Sequence, residues 1–353
     1  MNIFRKAEGG HGVFRNEDVF RPEFQPEHVL ERDAETKEMV HSLKPVGERR
    51  RPTNMVLYGP PGTGKTCCTR FVLGELQEYT RRALPIYINC WRHSSRFAIL
   101  SKIAEKFDVV MPRRGIGTEE LMARLVEFVR KSEMVPIIVL DEADAVVGEE
   151  EKVFYDLLRM GETDGLTFGL IAITNREDLL AKLDRRIRSS LMQGSIEFRR
   201  YSPAQLRKIL QERAKVGFVP GACSEDVVGA CAGFAAKNGG DARLGITLLW
   251  LAGREAEKAG KGSVGIEDVE AAKGNVAAQL GERRGELLDE VDKGIMELLR
   301  KGEKRSGEIY EALGGNERTV RMHLGKLESM RLIESEYLNS KAGRSRVFRI
   351  AGE

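Results

Sequence analysis

The sequence predicts an α/β protein whose core is a parallel sheet, followed by an all-helical domain and a small C-terminal domain of helices and strands. The first observation is that wholly apolar strand patterns alternate with helical patterns up to about residue 200. Continuous apolarity is typical of strands that are covered on both faces of a parallel sheet. The second is that strand patterns stop at Tyr201, after which helical patterns follow to about residue 273. The third is a change after residue 285, where further helices precede two strands.

These changes of pattern divide the chain into five segments. We expect a partly disordered arm over residues 1–25, because this stretch is charged, contains glycine and has weak periodicity. The core is predicted over residues 26–200, the helical domain over 201–278, a polar linker over 279–285 and the C-terminal domain over 286–353. A length of 353 residues has room for two or three domains.

Composition narrows the classes of protein that the chain can represent. It is 41% apolar and 31% charged, and its longest apolar runs are far shorter than the roughly 20 residues that span a bilayer. The N-terminal stretch is polar and lacks the apolar segment of a signal peptide, so we expect a cytoplasmic protein with no membrane partner. Because the net charge is only +3, a nucleic-acid surface would be a local basic patch. The cysteines lack metal-ligand spacing and are expected to be reduced.

The central motif of the core is the glycine-rich stretch Gly59–Thr66, with the sequence GPPGTGKT, which lies between an apolar strand and a helical pattern. Strand, glycine loop and helix are the context that a phosphate-binding loop requires. The glycines let successive backbone N–H groups face inward, and the helix directs its positive dipole end at the same point. Lys65 would reach the β- and γ-phosphates of a nucleotide, and the Thr66 hydroxyl would ligate Mg²⁺.

An apolar segment that includes Val29 and Leu30 precedes the first predicted helix of the core. In nucleotide-binding enzymes such a segment can pack over the base. It can equally be a hydrophobic staple at the start of an ordinary helix. The residues alone leave both interpretations open.

A pair of acids marks the other side of the predicted site. The apolar strand that begins at Val135 ends in Asp141 and Glu142. Carboxylates at the carboxyl ends of parallel strands face the crevice where α/β proteins bind ligands. Asp141 would hold the Mg²⁺ shell, and Glu142 would polarise the water that attacks a γ-phosphate. The alternative is a strand that ends in a solvated acidic turn.

Two polar features follow in the rest of the core. Asn175 ends the next buried strand and would help to place the attacking water, although asparagine also forms turns at such positions. Three arginines, Arg185, Arg186 and Arg188, lie within four positions. One of them could reach a neighbour's γ-phosphate as an arginine finger, and a solvated basic helix end is the alternative.

One arginine of the helical domain, Arg243, has an unusual position near the start of a predicted helix. Asp241 is predicted to cap the longest helix of this domain, which places Arg243 in the first turn. A cation there opposes the helix dipole, so the position indicates a specific anionic partner. A nucleotide γ-phosphate is the obvious candidate.

The C-terminal pattern of a helix, a helix–turn–helix and a β-hairpin predicts a winged helix. Its recognition helix would present a polar side to a DNA major groove, through Arg318, Thr319, Arg321 and His323. The hairpin is basic and suits phosphates or a minor groove. Its basic residues are Lys341, Arg344, Arg346 and Arg349. His323 is not expected to bind a metal, because nothing nearby has ligand spacing. A winged helix that contacts proteins is the alternative.

The order of these motifs resembles that of the AAA+ ATPases, and more narrowly that of the archaeal replication initiators of the origin-recognition and cell-division-control type. The resemblance covers about residues 15–353. Its most specific marks are GPPGTGKT, the LDEAD of residues 140–144, the GDAR of residues 240–243 at the start of a lid helix, and the winged helix. The PEHVLER of residues 26–32 matches the segment that borders the adenine in this family.

The resemblance implies a site for ATP or ADP with Mg²⁺, in which Thr66 and Asp141 hold the metal. It makes Glu142 catalytic, Asn175 sensor 1 and Arg243 sensor 2, with Arg186 as the finger arginine. The family often has proline immediately before the finger, where this sequence has Arg185. The cofactor-binding residues that it implies are Val29, Leu30, Pro60, Gly62, Thr63, Gly64, Lys65, Thr66, Cys67, Asp141 and Tyr201.

The resemblance also implies partners and a task. The helical insertion at about residues 94–114 matches the element that touches DNA in these initiators, and its basic turn contains Arg113 and Arg114. The family binds double-stranded origin DNA in the ATP state and helps to load the minichromosome-maintenance helicase. Paralogous initiators are further candidate partners. Weak ATP hydrolysis would act as a switch.

Two other classes of protein share parts of this pattern. Branch-migration motors of the Holliday-junction type also join an AAA+ core to a winged helix. The helical insertion after the second strand argues against a motor. A nucleotide-gated transcription regulator would bind operators and would not load a helicase.

Overall fold

The structure is a computed structural model. It describes residues 12–107, 115–148, 150–162, 165–274, 276, 290–314, 317–329, 332–340 and 343–350. The chain forms two compact units, Met1–Ala272 and Lys273–Glu353. Within the described residues, no helix has the length and apolarity needed to cross a membrane.

The first unit contains a five-stranded parallel sheet with the spatial order β2-β3-β4-β1-β5. All residues of β3 and β4 are buried, as strands covered on both faces should be, and this confirms the predicted α/β class. Because the strands are parallel, their carboxyl ends lie at one edge, where Asn89 is the register partner of Asp141. The strands are β1 (Met55–Tyr58), β2 (Ala83–Asn89), β3 (Val135–Asp141), β4 (Gly169–Thr174) and β5 (Ser195–Glu197).

Helices cover both faces of this sheet. Alternate residues of β3 point to opposite faces, so that Ile138 and Leu140 belong to one apolar cluster, and Ile137 and Val139 to another. The first cluster includes buried side chains of α3, α4, α5 and α7, and the second includes those of α1 and α2. The helices are α1 (Asp33–Leu43), α2 (Lys65–Tyr79), α3 (Arg96–Glu105), α4 (Thr118–Lys131), α5 (Lys152–Glu162), α6 (Leu179–Lys182) and α7 (Arg185–Leu191).

The lid follows the sheet and is helical, as predicted. Ser202 and Gln205 form a capping box at the start of its first helix, where Pro203 occupies the first position. Asp241 caps the longest helix through its side chain. The lid helices are α8 (Pro203–Gly217), α9 (Glu225–Lys237), α10 (Ala242–Lys258) and α11 (residues 266–274).

Part of the predicted N-terminal arm over residues 1–25 belongs to the described residues. Its described part, residues 12–25, packs on the lid and includes a short 3₁₀ helix, Glu17–Phe20. Phe14 stacks on Phe218 with ring centroids 5.0 Å apart, and Phe20 lies 5.1 Å from the same ring. Burial of these aromatic rings stabilises the arm on the lid despite its charged composition.

The second unit is the predicted winged helix. Helices α12 (Glu290–Arg300), α13 (Ser306–Leu313) and α14 (Glu317–Ser329) enclose an apolar core with Phe348 of the hairpin. Strands β7 (Ile333–Ser340) and β8 (Gly343–Ile350) are antiparallel. A third short strand, β6 (Lys304–Arg305), which the sequence pattern did not predict, pairs with β8.

Candidate nucleotide site and nucleic-acid surface

The glycine loop has a backbone that its glycines make possible. Gly59, Gly62 and Gly64 have φ angles of +140°, +71° and +91°, which other residues rarely adopt. Gly62 also lacks room for a side chain, because a Cβ there would lie 1.6 Å from Asp241 Oδ1. Helix α2 begins directly after the loop at Lys65. The unpaired N–H groups of its first turn are therefore available to an anion at this point.

Lys65 is buried and folded back onto the loop. Its Nζ donates hydrogen bonds to the backbone oxygens of Gly59 and Pro60, at 2.7 and 2.8 Å. Burial, and after it the positive charge of Arg243, lowers the pKa of Lys65 to about 8. Placing two cations near each other in a poorly solvated site raises the free energy of the ligand-free protein. An anion such as a polyphosphate would relieve this cost.

Asp141 lies at the end of β3 with three donors around its carboxylate. Its Oδ2 accepts hydrogen bonds from Thr66 Oγ1 at 3.0 Å and Tyr87 Oη at 2.6 Å, and its Oδ1 accepts one from the Glu142 N–H at 3.0 Å. Burial, together with the charge of Asp141, raises the pKa of Tyr87, so the phenol remains a donor. Carboxylate and hydroxyl oxygens suit a hard cation such as Mg²⁺. The donor set therefore fits the metal that the sequence predicted.

Glu142 follows in a left-handed backbone conformation with φ of +56°. Its Oε2 accepts a hydrogen bond of 2.9 Å from the side-chain amide of Asn89, at the end of β2. The Asn89 Oδ1 accepts two more bonds, from the backbone N–H groups of Trp91 and Arg92. Asn89 thus fixes the orientation of the Glu142 carboxylate. No motif of the sequence predicted this role, although Asn89, like Asn175, is a polar amide at the end of a buried strand.

The lid contacts the glycine loop directly. The backbone N–H of Ala242 donates to the Gly62 carbonyl at 3.1 Å, and Asp241 Oδ1 accepts from the Arg243 N–H at 2.8 Å. These bonds place Arg243 in the first turn of α10, as predicted, near Lys65 at the start of α2. A change in the conformation of the loop on ligand binding would therefore be transmitted to the lid through the bond between Ala242 and Gly62.

Arg32 is a buried residue of this region that was not predicted to have a role. Its Nε donates to the Thr63 carbonyl at 3.0 Å, and its guanidinium also bonds to the Arg199 carbonyl and the Glu35 carboxylate. The same group lies 4.0 Å from the centroid of the Tyr201 ring. Arg32 thereby ties the segment before α1 to the glycine loop and to the end of the sheet.

A cavity of about 690 Å³ brings most of the predicted residues together. Arm and lid side chains that were not predicted, including Phe24, Gln25 and Arg213, also line it. The size is suitable for a nucleotide. Pro60 and Arg186 do not line this cavity, and Arg186 is exposed on α7. The predicted residues that do line it are Val29, Leu30, Gly62, Thr63, Gly64, Lys65, Thr66, Cys67, Asp141, Glu142, Asn175, Tyr201 and Arg243.

The recognition helix of the winged helix presents part of the predicted surface. Arg318, Thr319 and Arg321 are exposed on α14. The prediction for His323 was wrong, because this residue is only 8% exposed. Its Nδ1 lies 2.8 Å from Oδ1 of Asp292, which is fully buried on α12. The helical period places residue 323 on the inner side of α14, next to Val320 and Leu324 of the core.

The basic hairpin is partly engaged within its own domain. Arg346 lies 2.7 Å from Glu328 and 5.2 Å from the Phe348 ring. Arg349 lies 3.4 Å from both Glu334 and Glu336. Arg344 is a β8 residue whose side chain lies outside the described part of the structure. Arg113, Arg114 and Lys341 also lie outside the described residues.

Three known protein families match parts of this sequence, and they agree with the class of protein that the fold and the cavity indicate. The AAA domain family matches residues 48–180, and the Cdc6 AAA+ ATPase-type lid domain family matches residues 207–274. A family described as bacterial regulatory protein, arsR family, matches residues 293–335 in the winged helix. The protein is therefore an AAA+ ATPase with a Cdc6-type lid and a C-terminal helix–turn–helix domain.

Comparisons over the whole chain narrow this class. ORC1-type DNA replication protein 2 of Methanosarcina acetivorans is 32% identical over 349 residues, which are 96% of this chain and 93% of that protein. The chain belongs to the ORC1-type DNA replication proteins, the Orc1/Cdc6-type replication initiators, which confirms the predicted resemblance. The structure of the Aeropyrum pernix ORC1 protein in complex with DNA has a TM-score of 0.74 and 29% identity, covering 97% of this chain and 94% of that one. The Thermotoga maritima RuvB Holliday junction branch migration motor has a TM-score of 0.56 and 17% identity, covering 95% of this chain and 96% of that one. This likeness shows a shared fold and no more.

Proposed function

We propose that the protein is an ATP-dependent replication initiator that binds origin duplex DNA and helps to recruit and load the minichromosome-maintenance helicase. One observation carries the proposal. A single cavity brings together Lys65, Asp141 and Glu142 of the core and Arg243 of the lid, in a chain that also contains a winged helix. Paralogous initiators are proposed as further partners, and the protein is proposed to act in the cytoplasm.

In this proposal each group acts on a different part of ATP·Mg²⁺. Lys65 leaves the loop carbonyls for the β- and γ-phosphates, and Thr66 and Asp141 hold the metal. Glu142, oriented by Asn89, polarises the attacking water. Hydrolysis is slow and serves as a switch. The switch operates because Arg243 responds to the γ-phosphate and lies on a helix whose start is bonded to the loop.

Further residues around the phosphates complete the site. Asn175 helps to place the attacking water. Arg186, exposed on α7, serves the site of a neighbouring subunit as an arginine finger.

DNA binding is proposed to use two regions, the winged helix and the helical insertion of the core. Helix α14 enters a major groove with Arg318, Thr319 and Arg321, which are exposed there. The hairpin contacts phosphates through Lys341, Arg344 and Arg346. The insertion that contains Arg113 and Arg114 provides a second contact with the duplex.

Footprinting of the purified protein on genomic DNA fragments, with and without ATP, tests this function. We expect protection of a specific duplex site that depends on ATP. Lys65→Ala should abolish ATP binding, whereas Glu142→Gln should keep ATP bound but stop hydrolysis. Lys131→Ala, in an exposed ion pair at the end of α4, is the matched control. Wild-type hydrolysis by Glu142→Gln would remove Glu142 from its role.

The same preparation separates the alternatives. A motor would form closed hexamers and hydrolyse ATP processively when DNA is added. A transcription regulator would protect promoter-like operators and would not retain the helicase. Co-elution of the helicase with the DNA-bound protein is the result expected of an initiator.

A further inference from the structure

We propose that Tyr87 is a positioning residue of the metal site and acts through the carboxylate of Asp141. This inference rests on the proposed function, since it concerns the Mg²⁺ that accompanies ATP. It assigns a task to a partly buried phenol that no motif of the sequence indicated.

The position of Tyr87 follows from the sheet. β2 and β3 are parallel, with Asn89 opposite Asp141 and Tyr87 opposite Val139. Side chains two residues apart on a strand point to the same face, so Tyr87 and Asn89 are on one side of β2. Asn89 reaches Glu142, and Tyr87 reaches Asp141. Two residues on the same face of β2 thus contact the two acids at the end of β3.

The hydroxyl groups of Tyr87 and Thr66 donate to the same carboxylate oxygen of Asp141. Tyr87 Oη donates to Asp141 Oδ2 at 2.6 Å, and Thr66 Oγ1 donates to the same atom at 3.0 Å. With the Glu142 N–H on Oδ1, donors engage both carboxylate oxygens. This arrangement restricts rotation of the carboxylate. Because the Thr66 hydroxyl commits its proton to Asp141, the lone pairs of its oxygen remain available to a cation.

The aromatic ring of Tyr87 is also fixed in place, by contacts other than the hydrogen bond of its hydroxyl. The Arg70 guanidinium lies 5.0 Å from the centroid of the ring, on the side of α2. The ring also packs beside the apolar cluster that contains Ile171 and Ile173. A purely structural role would need only this packing. Tyr87→Phe keeps the ring and removes only the hydroxyl, so it separates packing from positioning.

The test measures how nucleotide affinity depends on the metal. Binding of a fluorescent ATP analogue is titrated with Mg²⁺ and, separately, in EDTA. For Tyr87→Phe we expect affinity in EDTA to stay within about twofold of wild type. The Mg²⁺ concentration for half-maximal enhancement should rise about tenfold, as is usual when an outer-shell partner of a metal ligand is lost. Tyr58→Phe, at the end of β1 and separated from β2 by β3 and β4, is the matched control and should change neither quantity.

A second variant tests whether the phenol acts through Asp141. In an Asp141→Asn background, Tyr87→Phe should have little further effect on the Mg²⁺ requirement, because the carboxylate that it positions is gone. A tenfold effect that persists in this background would overturn the inference. So would an unchanged Mg²⁺ requirement in the single variant. Absence of metal-dependent nucleotide binding by the wild-type protein would instead contradict the proposed function, so the two failures are distinguishable.

Discussion

The cavity proposed to bind a nucleotide and the surface of α14 proposed to contact DNA are organised in opposite ways. In the cavity, the functional groups are already paired inside the chain, with Lys65 on two loop carbonyls and Asp141 holding three donors. On α14, the side chains of Arg318 and Arg321 are exposed at the surface of the domain, and Arg321 is also hydrogen-bonded to Tyr310. A small ligand needs a preorganised and mostly buried site, whereas a polyanionic duplex is attracted by exposed cations. Substitution of buried polar residues should therefore change mainly the free energy of unfolding. Substitution of exposed residues on α14 should change mainly the affinity for DNA.

The largest effect that would test this contrast concerns Arg32. Arg32→Ala should lower the free energy of unfolding of the first unit by about 3 kcal/mol, because the buried carbonyl of Thr63 and the partly buried carbonyl of Arg199 lose a charged donor. Urea unfolding followed by tryptophan fluorescence measures this unit alone. Both tryptophans of the chain, Trp91 and Trp250, lie in it.

The control for Arg32 is another arginine-to-alanine change in the same unit. Arg50 is paired with Glu48, and both side chains are more than half exposed. Arg50→Ala should change the unfolding free energy by less than about 0.5 kcal/mol. Equal effects of the two substitutions would contradict the view that the buried contacts of Arg32 hold the cavity wall.

His323 provides the corresponding test within the winged helix. His323→Ala should destabilise the second unit by about 2 kcal/mol, because the fully buried carboxylate of Asp292 loses its imidazole partner. Hydrogen exchange of amides in α12 and α14 locates the change. Met322→Ala, at a neighbouring position that is 65% exposed, is the control and should leave exchange unaltered. Loss of DNA binding without faster exchange would return His323 to the surface role first predicted for it.

The sequence predicted the parts of the site that are defined locally. The glycine loop needs positive φ angles within one short stretch, and the cap Asp241 fixes Arg243 two residues later. The roles of Tyr87 and Asn89 could not be predicted in this way, because they depend on the register between β2 and β3, whose partners are more than fifty residues apart. The packing of the arm similarly required the position of Phe218.

A smaller effect follows from the pKa of Lys65, which is about 8. Phosphate binding favours the charged amine, so ATP raises this pKa, and affinity must fall as the pH rises through the value of the free protein. Between pH 7 and pH 9 we expect the ATP affinity to decrease about tenfold, as measured by titration calorimetry. Lys65→Arg should show a flat profile, since arginine stays charged. A flat wild-type profile would mean that Lys65 is fully charged without ATP.

The smallest effect is expected at the DNA surface, for Arg318. Arg318→Ala should weaken duplex binding by about 1 kcal/mol and reduce the slope of log K against log salt by about one, because one phosphate contact is lost. Arg300→Ala, an exposed arginine at the end of α12, is the control. If the salt slope stays unchanged while discrimination between sites falls, Arg318 reads a base edge. If neither property changes, α14 serves a protein partner, and the contrast between the two regions would no longer concern DNA.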